Sequence, residues 1–234
     1  FAFRDVHLAE VLGRLQEYHP AWTPVLLAIP VLDLYLRAAR WGILLSLPGR
    51  TRTLFQLEAV GLGLNNILFL RLGEVARAVI GARELGLSTI AVLATIVVER
   101  MLDMASLLAL FALGSTALSR DPGLRAWAFA GTAGIVAGLF VVTVGGDAFL
   151  RSAAFSRLKR WPRLARLAQD LIQGSRGLRT PRAAAMAVAY SFALWLADAG
   201  LYWATARSMA FEPALSYGQA VVTLTAAAAA SALP

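Results

Sequence analysis

The sequence contains no cysteine, only two histidines and a single lysine, Lys159, among its 22 basic residues. The absence of cysteine excludes disulfides, thiol nucleophiles and cysteine-ligated zinc. The two histidines, His7 and His19, do not form a metal-binding pattern. The chain also lacks a Ser/His/Asp constellation and a glycine-rich phosphate loop with lysine. We therefore predict no metal, no cofactor and no catalytic residue.

Charged residues are also scarce, at 15% of the chain, whereas hydrophobic residues reach 59% and the mean hydropathy is +0.65. This composition is typical of polytopic membrane proteins. The 234 residues give room for about five or six crossings of roughly 20 residues. We predict one integral domain over residues 1–234 in the cytoplasmic membrane, without nucleic-acid binding. Because the chain begins at Phe1 and stops at Pro234 within an apolar segment, we expect it to be truncated at both ends.

Apolar segments of helical length predict an all-α, polytopic transmembrane bundle. Residues 1–20 alternate charged and apolar side chains at helical spacing, which indicates an amphipathic helix on the membrane surface. Crossings are predicted over 22–47, 88–118, 124–145 and 183–206, and a short apolar arm over 214–233. Three tryptophans are interpreted as anchors at the membrane interface, namely Trp41, Trp127 and Trp203.

The segment 147–182 is strongly basic, since nine arginines and lysines face only Asp147 and Asp170. By the positive-inside rule this segment is cytoplasmic. Its apolar side chains, among them Trp161 and Leu164, are expected to lie on lipid headgroups, or the segment docks a soluble partner.

Residues 53–85 do not form one clean apolar crossing. Glycines and the pair Asn65-Asn66 weaken the first stretch, and the piece from Gly73 to Leu85 is rich in charge. Two short arms predict a re-entrant hairpin, which is tolerated at membrane depth only where protein or a water-filled cavity shields the irregular backbone. The hairpin also keeps Arg50 and Arg52 on the same side as 147–182, as the positive-inside rule requires.

A weak internal symmetry accompanies this topology. Asp33 lies in the crossing that precedes the hairpin, and Asp198 lies in the crossing that precedes the arm 214–233. This pattern predicts an inverted repeat of discontinuous helices, a transporter design with its binding site near the midplane.

Polar side chains interrupt the apolar stretches, although each charge at membrane depth costs several kcal/mol unless it is paired or hydrated. A guanidinium suits phosphate, so Arg71 and Arg77 are predicted to hold an anionic or polar headgroup while Glu74 orients them. The alternative is an ion-pair network that only holds the hairpin in place. The predicted substrate-binding residues are Arg37, Arg40, Asn65, Asn66, Arg71, Glu74, Arg77, Glu99, Arg100 and Asp103.

Glu99 and Asp103 lie one helical turn apart and share a face, so they are expected to meet Arg37, Arg40 or Arg71 across the bundle. Alternatively, these carboxylates carry protons that drive transport. Asp198 either forms a contact between helices or belongs to a second half of the site. Asn65 and Asn66 either bind a headgroup or cap the hairpin.

Three ordered motifs point to a known family. They are Arg37-Ala38-Ala39-Arg40-Trp41, then Asn65-Asn66-Ile67-Leu68-Phe69-Leu70-Arg71-Leu72-Gly73-Glu74-Val75-Ala76-Arg77, and then Val98-Glu99-Arg100-Met101-Leu102-Asp103. This sequence resembles the lysylphosphatidylglycerol synthase transmembrane region, also called the flippase-like family, most strongly over about residues 25–110. It departs from the family at Phe69 or Leu70, where proline is frequent, and the family's later Pro-Gly-Gly-x-Gly element is expected just after Pro234.

The resemblance implies the handling of polar lipids. We predict translocation or presentation of a phospholipid or glycolipid across the membrane, with its headgroup held in a polar intramembrane cavity. Two alternatives stay open, namely the membrane part of a lipid-modifying enzyme and a scaffold for a lipid-biosynthesis complex. The expected partners are membrane lipids with an anionic or polar headgroup, with a homo-oligomer or a soluble biosynthetic protein at the cytoplasmic face as further partners.

Overall fold

The computed structural model describes residues 13, 17–67, 72–118, 122–209 and 214–232. These residues are almost entirely helical and include no strand, so the prediction of an all-α membrane bundle is confirmed. In chain order the helices are α1 (Thr23–Leu44), α2 (Thr51–Ile67), α3 (Leu72–Leu85), α4 (Thr89–Leu118), α5 (Pro122–Leu150), α6 (Ala153–Leu158), α7 (Pro162–Gly174), α8 (Pro181–Ser208) and α9 (Tyr217–Ala232). The amphipathic helix predicted over 1–20 lies largely outside the described residues.

Within the described residues, three segments are long and apolar enough to cross a membrane, namely Pro20–Leu44, Ala126–Leu150 and Pro181–Ser208. The 30 residues of α4 extend over about 45 Å, since an α-helix rises 1.5 Å per residue. Many large apolar side chains point outward; Leu27 is 67% exposed and Val141 is 65% exposed. In water such a surface would be unfavourable, so it marks the lipid-facing side of a membrane protein.

Helices α2 and α3 form an antiparallel pair of arms. Gly61 and Asn65 of α2 lie against Gly73 of α3, and Leu57 of α2 lies against Gly81 of α3. The two helices therefore run in opposite directions. A Cβ atom at Gly73 would overlap the carbonyl oxygen of Gly61 and the backbone nitrogen of Asn65. Glycine at position 73 therefore lets the two backbones approach closely. The link at 68–71 lies outside the described residues.

The ends of four helices meet at one side of the bundle. The turn Arg176–Leu178, which precedes α8, places Gly177 against the carbonyl groups of Ile43 and Leu44 at the end of α1. Gly174, at the end of α7, packs on Ala94 near the start of α4. At the opposite side the amide of His19 donates to the carbonyl of Ser208 at 2.8 Å, so α1 and α8 run antiparallel.

The largest side chain of the core is Trp41, which is 0% exposed. Its indole Nε1 donates to Thr95 Oγ1 of α4 at 3.0 Å, and its ring lies beside Gly81 of α3. The interpretation of Trp41 as an interface anchor is therefore wrong, because α3 and α4 cover the last turns of α1. Trp127, by contrast, is 79% exposed.

Candidate functional site

A cavity of about 520 Å³ lies between α1, α2, α3, α4, α8 and α9. Along α4 its lining changes from Arg100 and Asp103 to Met104 and Leu107 within two turns. The other lining residues are Arg37, Glu58, Gly61, Leu62, Asn65, Asn66, Glu74, Arg77, Trp195 and Ala228. A cavity that is charged in one part and apolar in another matches an amphiphilic ligand.

Arg77 joins the hairpin to the bundle. Its side chain is 4% exposed, its Nη2 donates to Glu99 Oε2 at 2.5 Å, and its Nη1 is paired with Glu58 of α2. The guanidinium carbon lies 4.5 Å from the ring centre of Trp41, and the stem of Arg77 crosses α2 at Gly61. Two carboxylates therefore engage both terminal nitrogens of this guanidinium and Trp41 lies against it, while its buried Nε has no hydrogen bond within the described residues.

Arg40 is the most deeply buried cation of the site, at 0% exposure. Its Nη1 donates to Asp103 Oδ1 at 2.5 Å and to Ser191 Oγ of α8 at 2.8 Å. Its Nη2 lies 3.6 Å from Glu99 Oε1. Since the Ser191 hydroxyl in turn donates to the carbonyl of Ala187, Arg40 ties α1, α4 and α8 together.

Arg100 is the most accessible cation in the cavity, with a side chain that is 39% exposed. Its Nε lies 3.6 Å from Glu74 Oε1 of α3, and its Nη1 lies 3.3 Å from Asp103 Oδ2. Both distances exceed the 2.7–2.9 Å of a strong charge-assisted hydrogen bond. Among the described residues, Arg100 therefore has no ion pair as short as those of Arg40 with Asp103 and of Arg77 with Glu99.

Arg37 bridges α1 and α8. Its Nε donates to Asp33 Oδ2 at 2.7 Å, and its Nη2 lies 3.6 Å from Asp198 Oδ2. The spacing of four residues between Asp33 and Arg37 places both on one face of α1. That face points into the bundle, since Asp33 is only 8% exposed.

These contacts form two alternating networks. In the larger one, three arginines lie between four carboxylates, in the order Glu58, Arg77, Glu99, Arg40, Asp103, Arg100 and Glu74. In the smaller one, Arg37 lies between Asp33 and Asp198. With all groups ionised, four arginines and six carboxylates leave an excess of two negative charges. Arg71 is not counted, because it lies outside the described residues.

Two uncharged polar groups of the cavity residues have no hydrogen bond within the described part of the chain. They are the buried Oδ1 of Asn65 and the buried Nε1 of Trp195. Asn65 lies in the last turns of α2, beside Gly73. A buried polar atom without a partner costs about 1–3 kcal/mol, and both atoms belong to residues that line the cavity.

Among the described residues, no group of three or more histidines, aspartates and glutamates is arranged to hold a metal ion. The sequence prediction that the protein uses no metal stays a prediction.

The model of the family described as Lysylphosphatidylglycerol synthase TM region matches residues 1–234, which is the whole chain. The chain belongs to the lysylphosphatidylglycerol synthase TM region family. The resemblance carried by the three ordered motifs is thereby confirmed. No curated protein and no solved structure matches the chain. Membership of this family makes the protein a membrane protein related to lipid modification or translocation.

The motifs that resemble the lysylphosphatidylglycerol synthase TM region converge on the cavity. Of the ten predicted site residues, seven line it, namely Arg37, Asn65, Asn66, Glu74, Arg77, Arg100 and Asp103. Arg40 and Glu99 lie behind this lining as part of the larger network, and Arg71 falls outside the described residues. Glu99 and Asp103 do meet Arg40 across the bundle, as expected. Their role toward a ligand stays a prediction.

Sequence reasoning missed three residues whose polar groups belong to the site, in addition to the apolar lining. Glu58 is a carboxylate in an apolar stretch, 3% exposed, and its charge alone was a usable signal. Ser191 and Trp195, in contrast, lie on an apolar helix where serine and tryptophan are ordinary. Only the fold brings Ser191 to Arg40 and Trp195 to the cavity.

Proposed function

We propose that this member of the lysylphosphatidylglycerol synthase TM region family translocates or presents a polar lipid across the cytoplasmic membrane, with the headgroup in the cavity. The carrying observation is the lining of the cavity, which changes along α4 from charged Arg100 and Asp103 to apolar Met104 and Leu107. A charged headgroup fits the first part, and the acyl chains leave along the second into the bilayer. Such an arrangement removes the cost of moving a bare headgroup through hydrocarbon.

In this proposal the Arg100–Glu74 pair is the part of the site that binds the headgroup. The buried networks around Arg77 and Arg40 have short contacts and little exposure, so they hold α1, α2, α3 and α4 in place. Arg100 has longer contacts and 39% exposure. A headgroup phosphate can replace Glu74 as its partner and form a charge-assisted hydrogen bond.

The charge balance of the networks restricts the kind of headgroup that the cavity can bind. With all groups ionised, the described networks carry an excess of two negative charges, and a purely anionic headgroup then meets repulsion in a medium of low dielectric constant. A headgroup that combines a phosphate with a cationic or hydroxyl group is favoured, because Glu74, once released by Arg100, accepts from that second group. We therefore propose a phospholipid with such a headgroup as the substrate.

The topology completes the proposal. In this proposal the α2–α3 pair is a re-entrant hairpin. Its antiparallel arms of 17 and 14 residues support this, since a crossing needs roughly 20 residues. Both ends of the pair then lie on the cytoplasmic side, with the basic segment 147–182. The arm α9, which lines the cavity through Ala228, is the counterpart of this hairpin in an inverted repeat.

The experiment is transport by purified protein in proteoliposomes. Fluorescent phosphatidylglycerol, lysylphosphatidylglycerol and a glycolipid serve as probes, and an impermeant quencher reports their exchange between leaflets. Arg100→Gln should slow transport of the preferred probe about tenfold or more, since a hydrogen bond to a charged group contributes about 1.5–3 kcal/mol. The matched control is Arg83→Gln on α3, which removes an exposed arginine that does not line the cavity.

The same samples distinguish the alternatives. If transport is absent for all probes but the mass of a lipid changes during incubation, the protein is part of a lipid-modifying enzyme. If Arg100→Gln and Arg83→Gln transport the probes at the wild-type rate, the assignment of Arg100 is wrong. If neutralising the basic residues of 147–182 alone abolishes the cellular function while transport in liposomes is unchanged, the scaffold reading is favoured.

A further inference from the structure

The segment between α5 and α8 lies at one face of the membrane. Helix α5 ends at Leu150 and α8 begins at Pro181, and both are long and apolar enough to span. The two short helices between them, α6 and α7, therefore cannot leave that face. Helix α7 packs on the start of α4 through Gly174, and the turn that follows α7 packs on the end of α1 through Gly177.

Helix α7 has a wider apolar side than the bundle covers. Ala165 and Ile172 are 8% and 5% exposed and face the bundle, Ile172 against Gly146 of α5. Leu164 and Leu167 are 51% and 57% exposed, and Trp161, just before the helix, is 67% exposed. At about 100° per residue, Leu164 lies about 80° from Ile172 and Leu167 about 140° from it, so the buried and exposed apolar positions together span an arc of about 160°.

The exposed apolar residues are surrounded by cations. Helices α6 and α7 and the turn that joins them carry five exposed basic residues, namely Arg157, Lys159, Arg160, Arg163 and Arg166. The only acidic residue from 151 to 180 is Asp170. An apolar face with a tryptophan, flanked by basic side chains, is the pattern of a helix that lies in the interface of an anionic membrane.

We propose that α6 and α7 form an interfacial anchor that binds anionic phospholipids of the adjoining leaflet, with Trp161, Leu164 and Leu167 inserted below the headgroups. The occupant is the leaflet itself because the surface continues directly from the span α5 and is complementary in charge to anionic headgroups. Since α7 packs on α4 at Ala94, the anchor also fixes the helix that carries Arg100 relative to the leaflet.

Because the chain has no cysteine, single-cysteine variants need no background substitutions. Leu164→Cys and Gln169→Cys are compared after spin labelling in nanodiscs of phosphatidylcholine and phosphatidylglycerol. Gln169 is exposed and lies about 140° from Leu164 around α7. Accessibility to an aqueous nickel reagent should be at least about fivefold lower at 164 than at 169, since an inserted apolar face lies about 5–10 Å below the headgroup boundary.

A second measurement tests the charges without relying on a label. Native mass spectrometry of protein released from the mixed nanodiscs should show retained phosphatidylglycerol in excess over phosphatidylcholine. The variant K159Q/R160Q/R163Q/R166Q should lose that excess, because each removed charge should lower the preference for phosphatidylglycerol about fivefold. Equal nickel accessibility at 164 and 169, or protection at 164 only after a soluble protein is added, would overturn the proposal. So would an unchanged lipid preference in the fourfold variant.

Discussion

Replacing Arg77 with glutamine tests whether the buried network holds the hairpin. The substitution removes the cation that Glu58 and Glu99 share, and these carboxylates are 3% and 0% exposed. Glu99 keeps a contact with Arg40 at 3.6 Å, whereas Glu58 has no other arginine among its ion pairs in the described residues. Breaking a buried ion pair by removing one partner costs about 3–5 kcal/mol.

This cost predicts a large drop in thermal stability for Arg77→Gln. For a domain of this size, 1 kcal/mol shifts the unfolding temperature by about 2–4 °C, so the expected decrease is roughly 6–20 °C. The assay is thermal unfolding of detergent-solubilised protein, followed by circular dichroism at several heating rates. Arg100→Gln is the comparison, because its partly exposed ion pairs contribute at most about 1 kcal/mol.

The double variant Glu58→Gln/Arg77→Gln isolates the cause. It removes the stranded carboxylate together with the cation, so it should recover at least about 1 kcal/mol relative to Arg77→Gln alone, within the usual range of couplings between contacting residues. Arg77 does not act as the structural cation inferred from its contacts if Arg77→Gln unfolds at the wild-type temperature. The same holds if the loss of stability in the double variant exceeds the sum of the losses in the two single variants.

Three further predictions concern the smaller network, the topology and α9. Asp33→Asn should lower stability by about 1.5–3 kcal/mol, since it removes a charge-assisted hydrogen bond of 2.7 Å. Asp198→Asn should lower stability by less than about 1 kcal/mol. Equal losses of stability in thermal unfolding would contradict this ranking. Cysteines at Arg52, Leu87 and Ser156 should all react with an impermeant maleimide from the same side of the membrane, and labelling of 52 from the other side would exclude the re-entrant hairpin. A bulky thiol reagent on Ala228→Cys should block transport, while the same reagent on the exposed neighbour Ala227→Cys should not; inhibition at both positions would show that α9 does not face the cavity selectively.

The helices could be predicted from the sequence because their limits depend on local chemistry. The apolar length of 22–47 and 183–206 determined α1 and α8, and Pro181 at the start of α8 fits the first turn of a helix. The break between α2 and α3 was predicted from the change of an apolar stretch into a charged one. Helix α5 continues to Leu150 and is longer than the predicted 124–145. The glycines at 145 and 146 do not end it, and Gly146 packs against Ile172 of α7.

The partners within the site could not be predicted, because they depend on which helix faces which. The charge of Arg77 predicted that it binds a headgroup, but its guanidinium is already paired with Glu58 and Glu99. Nothing in the spacing of Arg100 distinguished it from Arg40, yet one is 39% exposed on its side chain and the other 0%. Trp41 shows the same limit, since a tryptophan near the end of an apolar segment predicts an anchor unless neighbouring helices cover it.

The larger network contains ion pairs of two kinds, and the proposed lipid translocation needs both. If every cation were held as Arg77 is, a headgroup would have to displace a buried carboxylate, and the cost of leaving that charge unpaired would exceed what a hydrogen bond to the headgroup returns. If every cation were held as Arg100 is, the hairpin would lose the contacts that fix it within the bundle. The difference in exposure and distance between Arg77 and Arg100 is therefore the physical reason to separate structural from headgroup-binding cations, and it explains why the two substitutions should affect stability and transport in opposite proportions.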